Sequence, residues 1–377
     1  MSVYPEFQSA DVPRETAPPR HATPDHPTQN RPAQHPPQNH QTQNHQTQNQ
    51  AARNQVPPRH ATPNHAPPKR ASQPQAKPTN NGDDSAVVWT PIAEEAARAA
   101  SVLHPDESLL PRPAHRRVIT VANQKGGVGK TTSTVNLAAA LAIHGLKVLV
   151  IDLDPQGNAS TALAVEHRSG TPSVYEVLIG EMSIAEAAQV SPTSPNLYCV
   201  PATIDLAGAE IELVSMVARE SRLKEALSPE ALDQLQPDYV FIDCPPSLGL
   251  LTVNAMVAAL EVLIPIQCEY YALEGLSQLL RNIELVQQHL NPDLSISTIL
   301  LTMYDGRTKL ADQVTSEVRG HFGDVALRTV IPRSVKVSEA PGFGQTVLTY
   351  DPGSRGSMSY LDAAKEIAVR GARREGA

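Results

Sequence analysis

Gln124-Lys125-Gly126-Gly127-Val128-Gly129-Lys130-Thr131-Thr132 is the stretch that decides the fold. It directly follows the apolar run Val118–Ala122 and opens a helix-compatible stretch that reaches about His144. A glycine-rich loop between a strand and a helix is the setting a phosphate cradle requires. Gly126, Gly127 and Gly129 let the backbone turn so that consecutive N–H groups, including those around Val128, point inward. The helix N-terminus adds partial positive charge. Lys130 is placed to reach the β- and γ-phosphates of a nucleotide, the Thr131 hydroxyl to ligate Mg²⁺, and Thr132 to close the loop.

Outward from this loop the pattern alternates. Val148–Asp152, Tyr239–Asp243, Glu261–Ile266 and Ile296–Thr302 are short apolar runs. Helical segments at about Leu250–Leu260, Leu273–His289 and Ala311–His321 lie between the later ones, and Tyr360–Arg374 reads as a closing helix. Apolar runs of this length flanked by helices predict strands buried on both faces of a mainly parallel sheet. The fold class expected is α/β, a doubly wound P-loop domain.

The N-terminal part of the chain reads differently. Residues 1–85 hold 16 of the 34 prolines and only two aromatics, Tyr4 and Phe7, among runs of Gln, Asn, His and Thr. Such a stretch buries too little apolar surface to offset the entropy of ordering it, so a disordered tail is expected. Residues 86–115 read as a short helix (91–103) and a proline-bearing linker, and residues 116–377 as the folded domain. The first 85 residues carry 8 basic and 6 acidic side chains, which leaves 23 basic and 33 acidic for the rest of a chain of net charge −8. An acidic body gives no global reason to expect nucleic-acid binding, so any such contact must come from a local patch. Three widely spaced cysteines form no CxxC pair and point to reduced, buried thiols. No apolar run reaches the length of a membrane span, and a cytoplasmic location is expected.

Two strand ends carry carboxylates. Val148–Asp152 runs into Leu153-Asp154-Pro155-Gln156-Gly157-Asn158, and Tyr239–Asp243 into Cys244-Pro245-Pro246. Asp243 fits the metal-supporting aspartate that follows a buried strand in phosphate-loop proteins. Lys125 adds a second lysine to the loop. The string Lys125–Thr132 resembles the deviant Walker A motif of the ParA/Soj and MinD ATPases. The resemblance to ParA/Soj extends through Ile204–Leu213, Asp243–Gly249, Gln267–Gly275 and Ser338–Pro341.

That resemblance implies a Mg²⁺-dependent ATPase that pairs face to face in ATP. Lys125 would cross to the partner's phosphates, Asp154 would position the attacking water, and Asp152 would support the metal shell with Thr131 and Asp243. Met303 and Pro332 would lie near the base. It also implies non-specific binding of double-stranded DNA through Arg307, Arg333 and Lys336, a ParB-type partner that stimulates weak basal hydrolysis, and a role on the nucleoid in chromosome segregation. The alternative is a MinD-like membrane-cycling ATPase. An iron–sulfur carrier of the same family is a weaker fit, since the cysteines are unpaired.

Overall fold

Why the chain turns back where it does is set by where its apolar runs end. The computed structural model describes residues 109–269 and 274–373, so the expected tail and the helix expected at 91–103 lie outside the described residues. Eight strands form one sheet: β1 (Arg117–Val121), β2 (Val148–Asp152), β3 (Gln189–Val190), β4 (Leu197–Val200), β5 (Tyr239–Asp243), β6 (Glu261–Gln267), β7 (Ser295–Tyr304) and β8 (Ala326–Pro332). Their order is β3-β4-β2-β5-β1-β6-β7-β8. All neighbours are parallel except β3 with β4.

β2 and β5 are buried along their whole lengths, as near-continuous apolar runs require when helices cover both faces. β1 sits between β5 and β6, where the direction of winding changes. Ligands in open α/β sheets bind outside the carboxyl ends of strands at such a switch point. The phosphate loop begins there.

The helix Lys130–Ile143 (α1) is buried almost all round, with Leu137, Ala138, Ala139, Ala140 and Leu141 inaccessible to solvent. Its alanines allow close approach to the sheet on one side and to the terminal helix Arg355–Arg373 on another. At the opposite end of β1, Arg117 forks onto Glu261 at 2.7 and 2.6 Å and donates to the Ile367 carbonyl at 2.9 Å. It also stacks over the Tyr239 ring. One residue thus ties β1, β5, β6 and the terminal helix.

Most of the apolar side of that terminal helix is used in this packing, with Val369 left partly exposed. Tyr360, Leu361, Ala363, Ala364, Ile367 and Ala368 are all buried. Among the described residues no helix is long and apolar enough to cross a membrane.

Candidate phosphate-binding site

The loop that leaves β1 has the backbone its glycines were expected to supply. Gly127 and Gly129 have φ of +74° and +90°, a region that strains any residue with a Cβ. Gly129 precedes α1 without a side-chain cap, so the first N–H groups of the helix have no protein acceptor at that position. Two side chains pin the loop from outside. Asn123 accepts from the Lys125 N–H at 3.0 Å while donating to the Pro265 carbonyl at 2.8 Å. The Thr302 hydroxyl donates to the Val128 carbonyl at 2.8 Å.

Beneath the loop lie three charged groups that water scarcely reaches. Lys130 is 7% exposed, and Asp152 and Asp243 are fully buried. Asp152 and Asp243 are register partners on adjacent parallel strands, so their carboxylates emerge side by side. Asp152 is held by Ser160, whose N–H and hydroxyl donate to Oδ2 at 2.8 and 2.7 Å. Asp243 accepts at Oδ1 from Thr134 at 3.0 Å, but its Oδ2 is buried with no hydrogen-bonding partner.

Burial drives the pKa of Asp243 above the ordinary carboxylate range. The charge of Asp152 raises it further, and Thr131, Thr134 and Lys130 offset only part of the rise. Burial raises Asp152 as well, against the bonds from Ser160 and the Asp154 N–H. Burial lowers Lys130, opposed by the fields of Asp243, Cys244 and Asp154.

Two carboxylates forced together, one with an orphaned oxygen, call for a cation. Thr131 opens α1 beside them. Hydroxyl and carboxylate oxygens are the donor set of a hard divalent ion that completes its shell with water and phosphate, so these residues fit Mg²⁺.

Above the charges opens a cavity of about 630 Å³. Gly126, Gly127, Gly129, Lys130, Thr131, Thr132, Asp154 and Met303, all expected from the sequence, line it. Asp154 caps its own turn, accepting from the Gln156 N–H at 3.0 Å, and is nearly buried. Met303 adopts φ of +51° at the cavity wall, a strained backbone for a side chain of its kind. Pro332 is not in that lining; it pairs with Tyr304 at the ends of β8 and β7.

Lys125 stands apart from the cavity. Its ammonium lies 3.8 Å from Glu269 and is 38% exposed. Arg307, Arg333 and Lys336 are also outside the cavity and exposed: Arg307 on the turn after β7, Arg333 just past β8, and Lys336 on the short helix Val335–Glu339.

Known proteins resemble this chain over its folded part. A family model described as an AAA domain matches residues 116–296. Sporulation initiation inhibitor protein Soj of Bacillus subtilis is 54% identical over 255 residues, which cover 68% of this chain and 99% of Soj. Chromosome partitioning protein ParA of Caulobacter vibrioides is 52% identical, covering 67% of this chain and 94% of that protein.

The chain belongs to the ParA/Soj family of chromosome-partitioning ATPases.

Among solved structures, the ParA/Soj chain is similar to one described as cobyrinic acid a,c-diamide synthase from Mycobacterium smegmatis with bound ADP and magnesium. It is 40% identical with a TM-score of 0.57, over 66% of this chain and 93% of that one. The ParA/Soj site also contains residues that the sequence reading did not single out. Thr161, Ala162, Pro341 and Gly342 line the cavity, from a short helix after β2 and a turn after β8. Gly157, at φ +63°, was a legible signal for the first of these, since it marks a forced turn beside Asp154.

Proposed function

We propose that this chain is an ATP-driven dimer switch that binds DNA non-specifically and moves chromosomal origins with a ParB-type partner. Residues 116–377 form the ATPase. The observation that carries the reading is the unmet charge beneath the loop: Lys130, Asp152 and Asp243 buried together, with one carboxylate oxygen unpartnered.

ATP seats its phosphates against the loop N–H groups and Lys130. Thr131, Asp152 and Asp243 would hold a Mg²⁺ ion, directly or through water, which would supply charge neutralisation to the phosphates. Asp154 lies on the cavity wall and orients the attacking water. Met303 bounds the base end, with Pro332 behind it. Lys125 sits at the loop's rim, half-exposed and turned to Glu269, a position that supports delivery to a second subunit's phosphates. Its charge would then stabilise the transferring phosphoryl group only in the dimer. Hydrolysis, slow alone and accelerated by ParB, dissolves the dimer and frees it from the nucleoid.

Light scattering coupled to size exclusion tests the switch directly. The full chain should roughly double in mass with Mg²⁺ and a slowly hydrolysed ATP analogue, but not with ADP or without nucleotide. One mass under all three conditions sinks the model.

A further inference from the structure

Two of the three cations expected to meet DNA, Arg307 and Lys336, are already engaged. Arg307 forks onto Asp305, two residues earlier, with Nε to Oδ1 at 2.8 Å and Nη2 to Oδ2 at 2.7 Å. Its side chain is 88% exposed, so burial does not demand that pairing. Lys336 donates to Glu339 Oε2 at 3.1 Å and lies over the Tyr350 ring, and the Tyr350 hydroxyl donates to the same oxygen at 3.2 Å. The two turns are neighbours: Tyr304 pairs with Pro332 across β7 and β8, and its carbonyl accepts from the Arg333 N–H at 3.0 Å. Arg307 and Lys336 therefore each have a carboxylate close by in the chain, two and three residues away.

We propose that Asp305 and Glu339 are built-in competitors for DNA phosphate, which hold Arg307 and Lys336 until a backbone phosphate displaces them and take them back on release. The inference rests on the reading that Arg307 and Lys336 face DNA. A free cation that neutralises a phosphate expels a condensed counterion, and the salt dependence of binding records this. A cation that brings its own carboxylate to the duplex adds little net charge, so it expels little. The contact is then weak and short-lived, as suits a protein that must leave the nucleoid repeatedly. Arg307 and Lys336 hold both acids below their ordinary pKa ranges, so the competitors stay charged at any working pH and only substitution removes them.

The test measures binding of the full chain, with Mg²⁺ and a slowly hydrolysed ATP analogue, to a fluorescent non-specific duplex across a range of salt. Asp305→Asn and Glu339→Gln keep shape and an acceptor oxygen but lose the charge. Each should tighten binding about two- to fivefold, the range set by exposed ion pairs. Each should also steepen the slope of log affinity against log salt by about 0.9. Glu317→Gln removes one charge from an exposed acid on the helix Lys309–Phe322 that belongs to neither pair, and should change neither affinity nor slope.

If Arg307→Ala and Lys336→Ala weaken binding while the two acid variants leave affinity and slope unchanged, the competitors are overturned and the DNA face stands. Tighter binding without a steeper slope, or an equal effect from Glu317→Gln, also overturns them, since the general field then suffices. If none of the cation or acid variants alters binding, the DNA face itself is misplaced and the competitors fall with it.

Discussion

The two halves of the sheet end in opposite electrostatic arrangements. At the carboxyl ends of β1, β2 and β5, charges are buried and left short of partners, with Asp243 Oδ2 wholly unmet. At the ends of β7 and β8, Arg307 and Lys336 are exposed and yet paired, Arg307 with Asp305 and Lys336 with Glu339. Water would have served the second set without help, whereas the first set needs something water cannot supply. A folded chain tolerates buried, unmatched charge when a ligand completes it, and the ligand then gains what the fold lacked. The first corner is therefore built for large, all-or-none effects and the second for small, adjustable ones.

Substitutions should respect that ranking. Asp154→Ala at the cavity wall should lower the ATP turnover number about 10²- to 10⁴-fold, as loss of a positioned base does. Nucleotide affinity should stay within about threefold of the parent. Steady-state phosphate release and nucleotide titration together check this, and a parallel fall in affinity would remove Asp154 from its water-positioning role. Lys130→Ala should cost about 3 kcal/mol of ATP binding, the upper range for a charge-assisted contact, or roughly 150-fold. Calorimetric titration that finds unchanged affinity would break the buried half of the comparison.

Asp243→Asn probes the stored cost without nucleotide. The folded pKa of Asp243 lies above its unfolded value, so between the two the folded chain binds the extra proton. Its contribution to stability is present at low pH and is lost as pH rises through the folded value. The variant should therefore gain stability over the parent as pH is raised from about 5 to 8. A gain of about 1–3 kcal/mol, or roughly 2–4 °C in melting temperature per kcal/mol, is expected at the upper end. Mg²⁺ and nucleotide should reverse the order. Melting curves that show no pH-dependent gap would mean the carboxylate is not strained.

The smallest of these effects belongs to the exposed corner. Arg307→Ala should weaken DNA binding by no more than about tenfold and flatten its salt slope by less than about 0.9, since Asp305 offsets most of the charge it brings, with ATPase capacity intact. A larger loss than that from Lys130→Ala would invert the comparison.

Much of this was readable from residues alone because the decisive features are local. The loop needs its glycines in one run, and β2 and β5 are apolar from end to end, so both strands were placed at their observed bounds. β1, β6 and β7 were found to within a few residues. β3 and β4 escaped since they are two and four residues long, and sit among Ser, Thr and Pro that signal turns. β8 shows Arg328 to solvent in mid-strand, which interrupts its apolar run. Pro341 and Gly342 reach the cavity from far along the chain, and only tertiary packing brings them there. The Asp305–Arg307 pair was within reach of local reading, two positions apart. The unmet oxygen of Asp243 was not, because it depends on where Thr134 places its one hydroxyl.

Thr302 gives this geometry a mechanical side. Its hydroxyl fastens the phosphate loop to β7 through Val128, and the chain runs on through strained Met303 to the strand end at Tyr304 and the turn that carries Arg307, five positions later. A cavity wall and a surface cation thus stand within five residues of each other on one stretch of chain, one at the end of the strand and the other on the turn that follows it.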